Sequence, residues 1–164
     1  MARRTFFSFH YSGDLNRIGI VRNSWLTKKD RDDAGFWDAA DWEKVRKDTD
    51  LAITRWINKQ LEGTSVTVVL IGEKTSTRPW VKYEIEKSIE RGNGLLGIYI
   101  HNINGLGFGK SPKGINPLDN FKIQCSDGFD HIASTIYRSY DWVNDDGYNN
   151  LGIWIEAAAK RAGR

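Results

Sequence analysis

The chain carries a single cysteine, Cys125, in 164 residues. That excludes an internal disulfide and any cysteine-rich metal site, and leaves Cys125 as a structural thiol. Its three histidines, His10, His101 and His131, are scattered rather than set at ligand spacing, so no metal is expected. No apolar run approaches the ~18–20 residues that span a bilayer. The start, Met1-Ala2-Arg3-Arg4, runs straight into Thr5-Phe6-Phe7-Ser8-Phe9 without the small-residue cleavage pattern of a signal peptide. The expectation is a cytoplasmic protein with no membrane partner. Charge of one sign is never concentrated: 24 Lys and Arg alternate with 21 Asp and Glu, for a net +3. The pI of about 9.0 therefore describes a mixed, solvated surface, and no DNA partner is expected. Internal repeats, low-complexity tracts and linkers are absent, which points to one domain over residues 1–164, large enough for a proper core.

What is present is an alternation of strand and helix signals. Thr5 to Phe9 reads as a strand and Leu15 to Thr27 as the helix after it. Gly35-Phe36-Trp37-Asp38 reads as a short second strand. Trp42 to Leu61 reads as one long amphipathic helix with Val45, Ala52, Ile53, Trp56, Ile57 and Leu61 on its buried face and Gly63 ending it. Ser65 to Ile71, β-branched and almost wholly apolar, has the character of a central parallel strand. A helix from Pro79 to Arg91, a strand from Leu95 to Ile100, a long loop from Asn102 to Asn120, a strand within Tyr137 to Val143 and a helix from Leu151 to Ala162 complete the pattern. The order predicts an α/β fold: a flavodoxin-like, doubly wound, mostly parallel five-stranded sheet flanked by helices.

The segment Ser76-Thr77-Arg78-Pro79-Trp80-Val81-Lys82-Tyr83-Glu84-Ile85 concentrates the functional signal. Thr75, Ser76 and Thr77 offer capping oxygens, and Pro79 suits a first helical turn. Val81, Ile85, Ser88 and Ile89 recur at helical spacing and face the sheet. Trp80 and Glu84, four residues apart, share the neighbouring flank, outside the carboxyl end of a strand where open α/β sheets bind ligands. On the residues alone, Glu84 reads first as a surface carboxylate pairing with Lys87 or Ser88, and only second as a catalytic group. Glu86 lies about 200° further round the helix and faces solvent, as does Glu90. Gly105-Leu106-Gly107-Phe108-Gly109-Lys110-Ser111 is not a phosphate-binding P-loop: its first glycine is one residue too close, and Pro112 stands where a helix would begin.

Four segments in order carry a family resemblance: Arg4-Thr5-Phe6-Phe7-Ser8-Phe9, Ser65-Val66-x-Val68-x-Leu70-Ile71-Gly72, Trp80-Val81-x-x-Glu84-Ile85-Glu86-Lys87-x-Ile89 and Gly109-Lys110-Ser111-Pro112-Lys113-Gly114-Ile115-Asn116-Pro117-Leu118. Together they resemble the bacterial TIR-like domains typified by ThsB of the Thoeris anti-phage system. The motif-bearing part covers about residues 4–121, and residues 131–164 form a less diagnostic C-terminal strand and helix. The resemblance implies an enzyme that cleaves NAD+ at the glycosidic bond to nicotinamide and returns a cyclic ADP-ribose isomer. That second messenger switches on a Thoeris effector, which depletes NAD. It also implies head-to-tail self-association, an unidentified phage trigger, and no permanently bound cofactor, NAD+ being substrate.

By the same resemblance Glu84 is the catalytic residue. Because nicotinamide leaves as a neutral molecule, no general acid is needed, and one glutamate suffices to stabilise the ribosyl cation or hold its hydroxyls. Phe9, Trp37 and Trp80 are the candidates for stacking on the flat rings. Ser8 and Ser76 are candidates for ribose or phosphate, although Ser76 reads equally as a cap. His10, where many relatives carry an acid, and Asp38 complete the expected substrate contacts. The turn Asp38-Ala39-Ala40-Asp41 or the 102–120 loop would close the pocket against water. Three other readings compete. One is a non-catalytic TIR-like adaptor acting through self-association or effector binding. A phosphoacceptor receiver is disfavoured because its acids are missing after Phe9 and Ile71. A flavodoxin is disfavoured because no Ser/Thr-rich phosphate loop follows the first strand.

Overall fold

The computed structural model describes residues 3–26, 45, 47–105 and 107–164. Its strands are β1 (Thr5–Ser8), β2 (Val66–Ile71), β3 (Gly94–Tyr99), β4 (Lys122–Gln124), β5 (Asp130–Ile132) and β6 (Ser139–Asp141). Strands β1, β2, β3 and β6 form a parallel sheet in the order β1-β2-β3-β6, while β4 and β5 pair as a separate antiparallel hairpin. All six residues of β2 are buried, because this central strand is covered on both faces. Val68 and Leu70 belong to one apolar cluster with Leu96 and Ile98. Val69 and Ile71 belong to the other with Leu95. The change of cluster from one residue to the next is the period of two of a strand.

The helices are α1 (Tyr11–Leu26), α2 (Asp50–Leu61), α3 (Pro79–Glu90), the single turn α4 (Ala133–Ile136) and α5 (Gly147–Arg161). α1 packs on α5, and both join the Val68–Leu70 cluster through Ile18, Val21, Trp25, Leu151 and Ile155. α3 lies on the opposite face, where Val81 and Ile85 close over Val69 and Ile71.

The architecture matches the sequence reading, with corrections in detail. α1 begins at Tyr11, four residues before the expected Leu15, and Asp14 joins its buried stripe with Ile18, Val21 and Trp25. The expected continuous helix from Trp42 to Leu61 is interrupted at Lys47 and Asp48. There Thr49 caps a new helix, its Oγ1 accepting from the Ala52 amide at 3.3 Å. A capping threonine competes with helix continuation, and here the cap wins. α5 starts at Gly147, after Asp146 in the left-handed region (φ 53°), rather than at Leu151. The β4–β5 hairpin was not expected. The expected strand Gly35–Asp38 lies outside the described residues.

The end of β2 is approached so closely, by Asp14 of α1 and by the loop after β3, that two glycines are required. A Cβ on Gly72 would stand 2.0 Å from Asp14 Oδ2, and one on Gly114 would stand 1.9 Å from the Gly72 carbonyl oxygen. Backbone cannot swing aside as a side chain can. Gly114→Ala is therefore expected to destabilise the protein by about 1–3 kcal/mol, and more than Gly72→Ala, because overpacking costs on that order. Urea denaturation of the two variants checks the order.

Candidate active site

Helix α1 leaves β1 on one face and α3 leaves β2 on the other, so the adjacent carboxyl ends of β1 and β2 form the switch point where open α/β sheets bind ligands. A cleft of about 230 Å³ opens there. The β1–α1 corner supplies His10, Ser12, Gly13, Asp14 and Arg17, the β2–α3 turn supplies Glu73, Lys74 and Arg78, and the 102–116 loop supplies Ser111.

Glu84 sits on the buried stripe of α3 with Val81, Ile85 and Ser88, and is 1% exposed. The Ser8 hydroxyl, on the last residue of β1, donates to Glu84 Oε2. The Ser88 hydroxyl donates to the Glu84 carbonyl at 2.7 Å and also bonds Thr67 Oγ1 at 2.7 Å. Burial lifts the Glu84 carboxyl from an ordinary 4.5 to about 8, against the Ser8 hydrogen bond, which pulls it down. Ionising such a group in place costs on the order of 5 kcal/mol. That cost matches the burial of two or three aliphatic side chains at about 1.5–3 kcal/mol each, so Val81 and Ile85 alone roughly offset it. The surface pairing weighed for Glu84 is not formed: Lys87 bonds Glu90 instead, at 2.9 Å, and Glu86 and Glu90 are exposed.

The other sequence-predicted residues are dispersed. His10 lines the cleft, its ring nitrogen 3.0 Å from Ser12 Oγ. Burial first, then the charges of Arg78 and Lys74, hold its pKa below the ordinary value. Phe9 is 7% exposed and belongs to the apolar core rather than to the cleft wall. Trp80 is half-buried against the core, edge-on to Tyr83 at 5.9 Å, and does not line the cleft. Ser76 is 8% exposed. It does not cap α3, whose N-cap is Arg78 with no side-chain capping bond. Thr75 Oγ1 instead accepts from the Gly72 amide at 2.8 Å, and the Thr77 hydroxyl donates to the Lys74 carbonyl at 2.7 Å. Those oxygens stabilise the 3₁₀ turn Thr75–Thr77 ahead of the helix. Trp37 and Asp38 lie outside the described residues.

Sequence reasoning missed the charged lining. Asp14 is 5% exposed, and its carboxyl is raised first by burial, then lowered by Arg17, raised by Glu73 and lowered by Arg78. Arg17 stands 4.0 Å from Asp14, donates to the Ile103 carbonyl at 3.2 Å and to the Gly109 carbonyl, and rides 5.3 Å over the Phe108 ring. It thereby ties the 102–116 loop to α1. In the sequence these residues lie between the expected elements or at their edges, where no periodicity marks them.

A parallel sheet in the order β1-β2-β3-β6 with helices on both faces is the fold of a TIR-like domain. Residues 6–104 match the family described as Thoeris protein ThsB, TIR-like domain. A protein of Bacillus cereus (strain MSX-D12) named "Putative cyclic ADP-D-ribose synthase ThsB1" is 40% identical, over 94% of this chain and 100% of its own length. The chain belongs to the ThsB TIR-like family of the Thoeris system. Among the described residues no helix is long and apolar enough to cross a membrane.

Proposed function

We propose that the protein cleaves NAD+ and cyclises the ADP-ribosyl product, with Glu84 as the catalytic residue. The observation that carries this reading is the buried, serine-bonded Glu84 carboxyl beside the switch-point cleft. The relative's name supports it. The bond from ribosyl C1′ to the nicotinamide nitrogen breaks, its electron pair leaves with neutral nicotinamide, and a nucleophile of the adenosine half closes on C1′, its proton passing to solvent where that nucleophile is a hydroxyl. A carboxylate fixed in a low-dielectric site stabilises the cationic ribosyl centre far better than water does. Substrate charge is part of the design. The nicotinamide ring is cationic, and its approach favours the ionised form of a carboxyl held near 8. Glu84 does not line the cleft itself. It is reached through Ser8, two residues before His10, and through α3, whose N-cap Arg78 does line it.

Ser8, His10 and Ser76 are assigned to ribose and phosphate, His10 from the cleft wall itself. Phe9, Trp37, Asp38 and Trp80 remain as assignments from the family resemblance. The cyclic product acts on a Thoeris NAD-depleting effector, and self-association completes the site. The burial of Glu84 also suits a second reading, a non-catalytic TIR-like signalling module in which the Ser8–Glu84 bond merely pins α3 to β1. Mass spectrometry of NAD+ incubated with the protein in lysate from phage-infected cells separates the two. Free nicotinamide and a product with the mass of cyclic ADP-ribose, made by wild type and not by Glu84→Gln, are expected. Intact NAD+ with folded, abundant wild type would leave the signalling module.

A further inference from the structure

The cleft has more positive charge than its own contacts use. Arg17 is committed to Asp14 and to two loop carbonyls. Arg78 acts on Asp14 only through its charge, and among the described residues its buried Nε donates to no acceptor. A buried donor without an acceptor is uncommon enough to need a reason. Lys74, four residues earlier, lines the same cleft from the β2–α3 turn. Between them and the body of α3 the helix opens on Pro79, with no side-chain cap on its first turn. Because α3 follows a parallel strand, that uncapped end and its partial positive charge point to the cleft. Among the described residues of the lining, Arg17, Lys74 and Arg78 face Asp14 and Glu73, which leaves one surplus positive charge with His10 neutral.

Resting on the reading of the protein as a NAD+-cleaving enzyme, we propose that Arg78, Lys74 and the N-terminus of α3 form the subsite that holds the diphosphate of the dinucleotide. Arg78 and Glu84 are six residues apart, about 9 Å along a helix axis, and a helical side chain leans back toward the N-terminus. A diphosphate fixed at Arg78 therefore lies less than two helical turns from Glu84, on the side from which the ribose bearing nicotinamide would approach the carboxyl. Glu73 accepts sugar hydroxyls, while Asp14 stays with Arg17. The guanidinium fork matches phosphate oxygens in a way that an ammonium does not, so Arg78 sets orientation and Lys74 adds charge.

His10 reports occupancy without turnover. Burial first, and then the charges of Arg78 and Lys74, hold its pKa down, and an anion seated between the two cations cancels the second part and raises it. Calorimetric titration with ADP-ribose is expected to show at least a tenfold weaker Kd in Arg78→Gln, partly restored in Arg78→Lys, and a smaller loss in Lys74→Gln. Adenosine, which lacks phosphate, should bind all four proteins alike. In wild type, the nuclear magnetic resonance titration of His10 should move to higher pH on adding ADP-ribose. Equal ADP-ribose affinity in folded wild type and Arg78→Gln, no binding to folded wild type, or an unmoved His10 overturns the subsite. The underlying reading fails separately. Arg78-dependent ADP-ribose binding without NAD+ cleavage sinks the enzyme and keeps the subsite. Cleavage with the same KM in Arg78→Gln keeps the enzyme and sinks the subsite.

Discussion

Glu84→Gln is expected to lower the rate of nicotinamide release by at least a hundredfold while making the folded protein more stable at pH 8 and above. The two effects come from the same burial. Removing a preorganised charge-stabilising group from a water-excluded site costs about 10²–10³ in rate. Stability moves the other way, because the carboxyl titrates near 8 in the folded protein and near 4.5 when unfolded. Below the unfolded value both states hold the proton and nothing is lost. Between the two values the unfolded chain releases its proton first, so wild-type stability falls as pH rises, and above about 8 the full cost persists. Glutamine never ionises. Setting that gain of order 5 kcal/mol against about 1–3 kcal/mol for a buried amide with an imperfect partner leaves about 2 kcal/mol or more. At this chain length that is a rise in Tm of about 4–8 °C, read by calorimetry at pH 8.5. At pH 4.5 the gain should vanish. Glu86→Gln, on the exposed face of the same helix, should change neither rate nor Tm. Loss of activity together with loss of stability in Glu84→Gln would mean that the residue holds the fold and does not perform the chemistry.

Why Glu84 was legible and Arg78 was not follows from how each position is specified. Val81, Ile85 and Ser88 mark a stripe that any helical reading finds, and a glutamate between them has to lie at its edge. Its partner Ser8 was legible as a strand end. Their bond depends on β1 lying next to β2, which the alternation of elements suggests and the register Ser8↔Val69 completes. The cleft lining obeys no period. Lys74 and Arg78 flank a 3₁₀ turn whose hydroxyls look, from the sequence, like helix caps. In a chain whose charges alternate throughout, two more cations look like solvated surface. Asp14 falls just outside the helix expected from Leu15, behind Gly13. The structure runs the helix through it, with the His10 ring at 2.8 Å from where a Cβ would stand. The break at Thr49 is of the same kind. The apolar spacing of Val45 with Ile53 and Ile57 continues across it, so periodicity alone joins what a single side-chain cap separates.

The pH dependence of kcat/KM should rise about tenfold per unit and level off near pH 8, so that the value at pH 5 is about a thousandfold below the plateau. A kcat/KM profile reports the free enzyme, in which the catalytic form is the ionised carboxylate and burial keeps it scarce. NAD+ itself carries no group that titrates in that window. Of the other groups at the cleft, His10 is held below its ordinary value by burial, Arg78 and Lys74, so its protonation bends only the acid end. Asp14 is raised by burial and pulled back by Arg17 and Arg78. Saturation with NAD+ should move the apparent pKa in kcat downward, since a bound cation favours the carboxylate. The Ser8 hydroxyl gives the profile its internal check. It donates to the Glu84 carboxylate and lowers its pKa, so Ser8→Ala should push the inflection up by about one unit, the worth of one hydrogen bond to a charged group. The plateau at higher pH should change less than the activity at pH 7. A profile whose inflection stays in place in Ser8→Ala, or that follows His10→Gln instead, would assign the titration to another group and remove Glu84 from the reaction.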